Sequence, residues 1–373
     1  MRRFPLILFL CSVAGSLTAG DATAYPLWDG QESVEQYARR VNLAPAQTLD
    51  LGNGVKLELV LIPAGKFVMG TPEPAPINED EFRKKIVTGQ ALLVLSGGVV
   101  LVLLAMLIVT AIRRRRLFQF SLIRLLLVIV AAGGAVLSGM HWRQTARRLE
   151  AARVEYAAAK ARFDAACNEE KPAHVVTLTK PFYMGKYVVT QEQYAQLIGA
   201  NPSQYIGKDN PVEQVSWNDA QTFFRKLSEL THQTVRLPTE AEWEYGCRAG
   251  TFTTYYSGDT DKDLDRVAWY DVNSKNTTHP VGQKEPNVFG LYDMHGNVFQ
   301  WCEGRWDEKY YSTSPAENPE GPAQGRSYRM LRGGYFVDGP YRCRSAYRYG
   351  GDPDFRSSII GFRVVAASAS KTP

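Results

Sequence analysis

The chain has 373 residues, with 43 Lys and Arg against 38 Asp and Glu, a net charge of +5 and a mean hydropathy of −0.24. That length suits one large domain or two ordinary ones. The basic residues are scattered apart from four arginines at 113–116, and no basic stripe interleaved with aromatics is present. Nucleic acid is therefore not an expected partner.

In chain order, residues 1–24 read as an export signal. Arg2 and Arg3 precede a short apolar run, and Ala22-Thr23-Ala24 supplies small residues at a cleavage site. An uncleaved anchor is the alternative. Lipidation at Cys11 is not expected, because Leu10 stands where a small residue is needed. Residues 25–51 read as an N-terminal leader. Residues 55–71 alternate apolar and polar and turn at Pro63-Ala64-Gly65, which predicts two strands. A linker follows over 72–88.

Residues 91–112 carry no charge for 22 residues, enough to span a bilayer core. After the arginines at 113–116, a second apolar run fills 117–140. Arg124 near its start can snorkel to the headgroups. Together 89–140 predict a transmembrane helical hairpin; two buried core helices are the alternative. The arginines at its tip place that tip in the cytoplasm and both flanks outside. Arg83, Lys84 and Lys85 before it, and Arg143, Arg147 and Arg148 after it, blur that asymmetry. Residues 141–168 are rich in Ala, Arg and Glu and predict a helical stalk, about 40 Å long at ~1.5 Å per residue.

Residues 169–367 predict a second stretch of globular chain, and 368–373 a tail. Strands are expected within 174–190. Thr190 with Gln193, Ser216 with Asp219 and Thr239 with Glu242 have capping-box spacing, predicting three helix starts. Beyond about residue 250, Gly, Asn, Asp and aromatics predict short strands and ordered loops.

The phrases LVLIPAGKFVMGT, KPFYMGKYVVTQEQY, PVEQVSWNDA, RLPTEAEWEYGCRAGT, THPVGQKEPNVFGLYDMHGNVFQW, LRGGYF, RSAYR and IGFRVV occur in this order. They resemble the sulfatase-modifying family of formylglycine-generating enzyme, over roughly 52–71 and 172–367. The resemblance implies an α+β, C-type-lectin-like fold, loop-rich, here interrupted by the two-helix transmembrane hairpin and the stalk. The strands flanking the interruption could still pair, since a hairpin returns the chain to where it left.

In active members of that family, two nearby cysteines shortly after Arg-Gly-Gly-Ser bind Cu(I). With oxygen they convert a substrate cysteine to formylglycine. Cu(I) is soft and takes thiolate ligands. This sequence departs there. Tyr335 follows Arg332-Gly333-Gly334, and residues 336–341 contain no cysteine. Copper is therefore not an expected cofactor. The resemblance instead aligns Cys343 with a cysteine that pairs with the one in the EYxCRxG helix, here Cys247. It implies a Cys247–Cys343 disulfide, with two buried free thiols as the alternative.

The resemblance also implies a possible Ca2+ site: Asp293, the carbonyls of Gly296 and Val298, and Gln300. Gln300 replaces an acidic ligand, which lowers calcium affinity. A turn held by its own hydrogen bonds is the alternative. Cys302, between Trp301 and Trp306, reads as a small buried residue. The five histidines lack metal-motif spacing.

Tyr335, Arg332, Arg342 and Arg344, with Arg348 and Arg363 nearby, are candidates for an anion- or peptide-contact surface; internal pairing with carboxylates is the alternative. No nucleophile–base pair is evident. The expected protein is a multi-pass cell-membrane protein with its main domain extracytoplasmic. It would bind a protein, peptide or small ligand at the lectin-like groove, without copper chemistry. The alternative is an active oxidase converting a sulfatase cysteine to formylglycine.

Overall fold

The computed structural model describes residues 25–73, 168–324 and 327–368, with scattered residues between 80 and 160. They divide into two compact units, Met1–Gly70 with Glu169–Pro373, and Thr71–Asn168.

In the second unit, residues 143–158 are helical and mostly exposed. Most of the predicted hairpin, 89–140, lies outside the described residues, as do the export signal and Cys167. Among the described residues no helix is long and apolar enough to cross a membrane.

In the first unit, the stretch read as a leader is part of the fold. Helix α1 (Val34–Val41) opens with a capping box between Ser33 and Gln36 and buries Tyr37 and Val41. Strand β1 (Ala46–Asp50) pairs antiparallel with β2 (Lys56–Ile62), Leu49 opposite Leu57. In β2 the period-2 pattern turns Leu57, Leu59 and Leu61 into the core.

Strand β3 (Gly65–Met69) pairs with β4 (His174–Leu178) in full register, from Gly65 opposite Leu178 to Met69 opposite His174. The chain thus leaves the first unit after β3 and re-enters it beside the same strand. Five strands form one antiparallel sheet, with β2 paired to β5 (Phe182–Gly185), β5 to β13 (Val365–Ala367), and β13 to β6 (Val235–Arg236).

The three predicted capping boxes all form. They start α2 (Gln191–Ile198), α3 (Trp217–Thr231) and α4 (Glu240–Arg248). Helix α3 turns Ala220, Phe223, Phe224 and Leu227 inward at helical spacing. There Phe223, Phe224 and Tyr194 pack against Phe362. A fully buried Phe contributes about 1.5–3 kcal/mol. Helix α4 is buried on every side, although it carries three glutamates and an arginine. Those charges need partners, and finding them locates the site.

A further capping box, Thr260 with Asp263, starts α5 (Asp261–Val267), which runs into β7 (Ala268–Trp269). Strand β7 pairs in parallel with β8 (His295–Gly296). The second main sheet is four-stranded, in the order β11 (Tyr349–Gly351), β10 (Arg329–Arg332), β9 (Phe299–Arg305), β12 (Ile360–Phe362). Only β12 runs parallel to its neighbour β9.

Candidate functional site

Strand β10 ends at Arg332 and the chain turns through Gly333 and Gly334, at φ +101° and +72°. A side chain on Gly334 would place its Cβ 2.8 Å from Cys343 Sγ and 3.0 Å from the Arg342 carbonyl. The Gly-Gly pair therefore lets the loop lie against its own return.

The loop then presents a linked set of rings. Tyr335 lies 5.3 Å from Phe299 and 6.0 Å from Phe336. Phe299 stacks on Tyr349 at 5.7 Å, and Tyr341 meets Tyr347 edge-on at 5.7 Å. From another loop, Tyr205 packs edge-on to Phe336 at 5.2 Å. Around them Ile206, Val272, Val337, Tyr341 and Tyr349 expose apolar surface. Tyr335 itself is half-buried.

One carboxyl faces this set. The Asp338 side chain accepts from the Tyr335 N–H and from Arg342 Nη1, both at 3.3 Å. Burial pushes its pKa up to about 7; the Arg342 charge opposes that, and Asp271 adds to it. Arg342 is the exposed arginine of the four candidates' group, with 48% of its side chain accessible.

The other predicted arginines lie inside the fold, not on a contact surface. Arg332 is fully buried; it donates to the carbonyls of Ala346 and Tyr347 and pairs with Glu244 of α4. Arg348 pairs with Glu240, and Arg248 with Glu244. Arg344 is held by both oxygens of Glu170, at 2.8 and 2.6 Å, and lies over the Tyr341 ring. Arg363 donates to Gln300 Oε1 at 3.1 Å and to two backbone carbonyls. Among them, Arg348, Arg248 and Arg332 neutralise Glu240 and Glu244 of α4, and Arg236 pairs with the third glutamate, Glu242.

The expected Cys247–Cys343 disulfide is not formed: Cys247, Cys302 and Cys343 are all free and buried. Cys343 packs among Tyr255, Leu264, Val267 and Tyr270, with its sulfur under Gly334. Cys247 Sγ instead faces His295 Nε2 at 3.8 Å. His295 donates through Nδ1 to the Cys343 carbonyl at 2.7 Å, and its Nε2 accepts from the Tyr256 N–H at 3.2 Å. Burial drives His295 down to about 3, so it stays neutral. Burial likewise pushes the Cys247 thiol up to about 12, and the Cys302 and Cys343 thiols well above the usual range.

At the expected calcium positions, one of the side-chain oxygens is fully engaged. Gln300 Oε1 already accepts from Trp243 Nε1 at 3.0 Å and from Arg363, while its Nε2 donates to the Asp293 carbonyl at 2.7 Å. Asp293 Oδ2 accepts from the Gly282 N–H at 2.8 Å. The Gly296 N–H donates to the Gly333 carbonyl, and Val298 is buried. Calcium takes six to eight oxygens, and the side-chain oxygen at 300 is already engaged by Trp243 and Arg363. Among the described residues no group of three His, Cys, Asp or Glu could hold a metal ion.

Several of these residues escape local sequence reasoning. Asp338 stands out only as a lone acid in an aromatic loop. Phe299, Tyr349 and Tyr205 come from distant segments and carry no local signal.

Against known proteins, the model of the "sulfatase-modifying factor enzyme 1-like domain" matches residues 128–368. "Chaperone protein LppX" of Paenibacillus barcinonensis is 31% identical over 240 residues, 51% of this chain and 81% of that protein. "Formylglycine-generating enzyme" of Streptomyces coelicolor is 37% identical over 177 residues, 43% of this chain and 54% of the enzyme, so the match spans about half the enzyme. Among solved structures, "Treponema denticola variable protein 1" is 31% identical with a TM-score of 0.50, covering 52% of this chain and 87% of that one. PvdO from Pseudomonas aeruginosa is 23% identical with a TM-score of 0.57, covering 87% and 99%, which shows a shared fold.

Proposed function

The chain belongs to the sulfatase-modifying factor enzyme 1-like domain family, and we propose that it serves there as a membrane-anchored, extracytoplasmic binding module. The observation that carries this reading is the burial of every described thiol. The loop after Gly334, where active relatives place a copper-binding pair, holds Cys343 alone, with its sulfur turned inward. A thiolate is the species that binds Cu(I) or attacks, and burial disfavours it here. What this loop does present to solvent is apolar surface: Val337 and the Tyr341 ring, with the Tyr349 ring of β11 exposed as well. A protein, peptide or small ligand would dock there.

The anchor rests on the apolar runs within 91–112 and 117–140. The described residues Val99, Val102, Met106, Val109, Val136 and Met140 are helical and expose their apolar side chains, as lipid-facing positions would. Protease added outside spheroplasts should cut within 172–373; complete protection would contradict the topology.

Affinity capture with the full chain in detergent tests the binding site. A partner kept by the natural chain and lost with Tyr335→Ala plus Tyr349→Ala is expected. Partners retained equally by both chains would contradict it. The second reading is an active oxidase, favoured by the 37% identity to a formylglycine-generating enzyme.

A further inference from the structure

The loop at 199–212 carries Tyr205 to the face of Phe336, and one buried acid organises it. Glu213 is fully buried. Its Oε1 accepts from the consecutive N–H groups of Gln204 and Tyr205, at 2.5 and 2.7 Å. Its Oε2 is buried without a partner. Its own N–H donates to Ser203 Oγ at 3.1 Å, closing the loop on both sides of the acid.

Two amides complete the frame. Gln191 Nε2 donates to the Tyr205 carbonyl at 2.8 Å, and Gln191 Oε1 accepts from the Gly207 N–H at 3.1 Å. Asn210 Nδ2 donates to Thr278 Oγ1 at 3.2 Å. The loop tip, Ile206, is left 75% exposed.

A buried carboxyl with one idle oxygen is costly unless its position is needed. We propose that Glu213 is a positioning residue of the candidate site: it fixes the backbone at Gln204 and Tyr205, so that the Tyr205 ring buttresses Phe336 and thereby the loop bearing Tyr335 and Val337. This rests on the binding reading only for its purpose. The buttress itself is a physical coupling between two loops that share no chain continuity.

The variants follow from the geometry. Glu213→Gln keeps an acceptor oxygen at the same place and removes the buried charge, whose ionised form burial already disfavours. Glu213→Ala removes the acceptor and leaves two N–H groups unpaired. Hydrogen exchange by mass spectrometry on the full chain in detergent reads both loops without any ligand. Glu213→Ala should speed exchange at least tenfold over residues 203–207 and also over 333–339, with near-natural protection in β2 and α4. Glu213→Gln should restore natural protection in both loops. A change confined to 203–207 would overturn the proposal, because Glu213 would then hold only its own loop. Uniform loss of protection in both variants would overturn it too, since the residue would be a general stability element. No ligand enters, so a failure here leaves the binding reading standing, and a failed capture leaves the buttress standing.

Discussion

Arg332 and Glu244 form an ion pair in which neither side chain exposes any surface. They are 88 residues apart in the chain. The pair ties the end of β10, where the candidate loop begins, to the middle of the buried helix α4. Arg332 also lies over the Trp243 ring at 5.1 Å. It therefore anchors the loop from beneath and has no surface left to offer a ligand.

Removing one member of such a pair strands a charge in the interior, at a cost of about 3–5 kcal/mol. Glu244→Ala should destabilise by that amount in chemical denaturation, and Arg332→Lys should also destabilise, since an ammonium cannot repeat the guanidinium's fan of bonds. A loss of ligand binding in Arg332→Lys at unchanged stability would contradict the buried role.

Asp338 gives the site a pH dependence with a definite sign. Its folded pKa is raised, by burial first, to about 7. Between the ordinary carboxyl value of about 4 and 7, the unfolded chain has lost its proton while the folded one keeps it. Its contribution is thus fully present below about pH 4 and is lost as pH rises through 7. Asp338→Asn should gain stability relative to the natural chain over that window. Thermal unfolding of both chains at pH 4.5, 6 and 8 reads the difference. A gap that shrinks with rising pH would refute the assignment.

Free, buried thiols make a covalent prediction. When the unreduced chain is unfolded and alkylated, Cys247, Cys302 and Cys343 should each carry the label, and in the native chain none should react within minutes. A disulfide-linked peptide joining Cys247 to Cys343 would restore the pairing that the resemblance implies.

Helix starts were legible because capping is local: Thr190, Ser216 and Thr239 each find a partner three residues on. The same spacing stands at Ser33 and Thr260 and starts α1 and α5, so the stretch expected as a leader carries a helix. Which carboxylates the arginines meet is not legible locally, because their partners are remote. Arg348 reaches Glu240 across 108 positions and Arg344 reaches Glu170 across 174. Nothing in the local spacing of RCRSAYR encodes those pairs. The groups that engage Gln300, Trp243 and Arg363, are as remote, 57 and 63 residues away. The missing cysteine pair, by contrast, is a property of a short stretch, and reading 332–343 was enough to see it.

The central claim is that this family member binds and does not carry out copper-dependent oxidation. It is tested most directly by titrating the reduced full chain with Cu(I) in the presence of a CxPxR peptide and oxygen, and weighing the peptide. The account predicts no stoichiometric copper uptake by the 169–367 domain and a peptide of unchanged mass. One tightly held Cu(I) per chain, with conversion of the peptide cysteine to formylglycine, would contradict it.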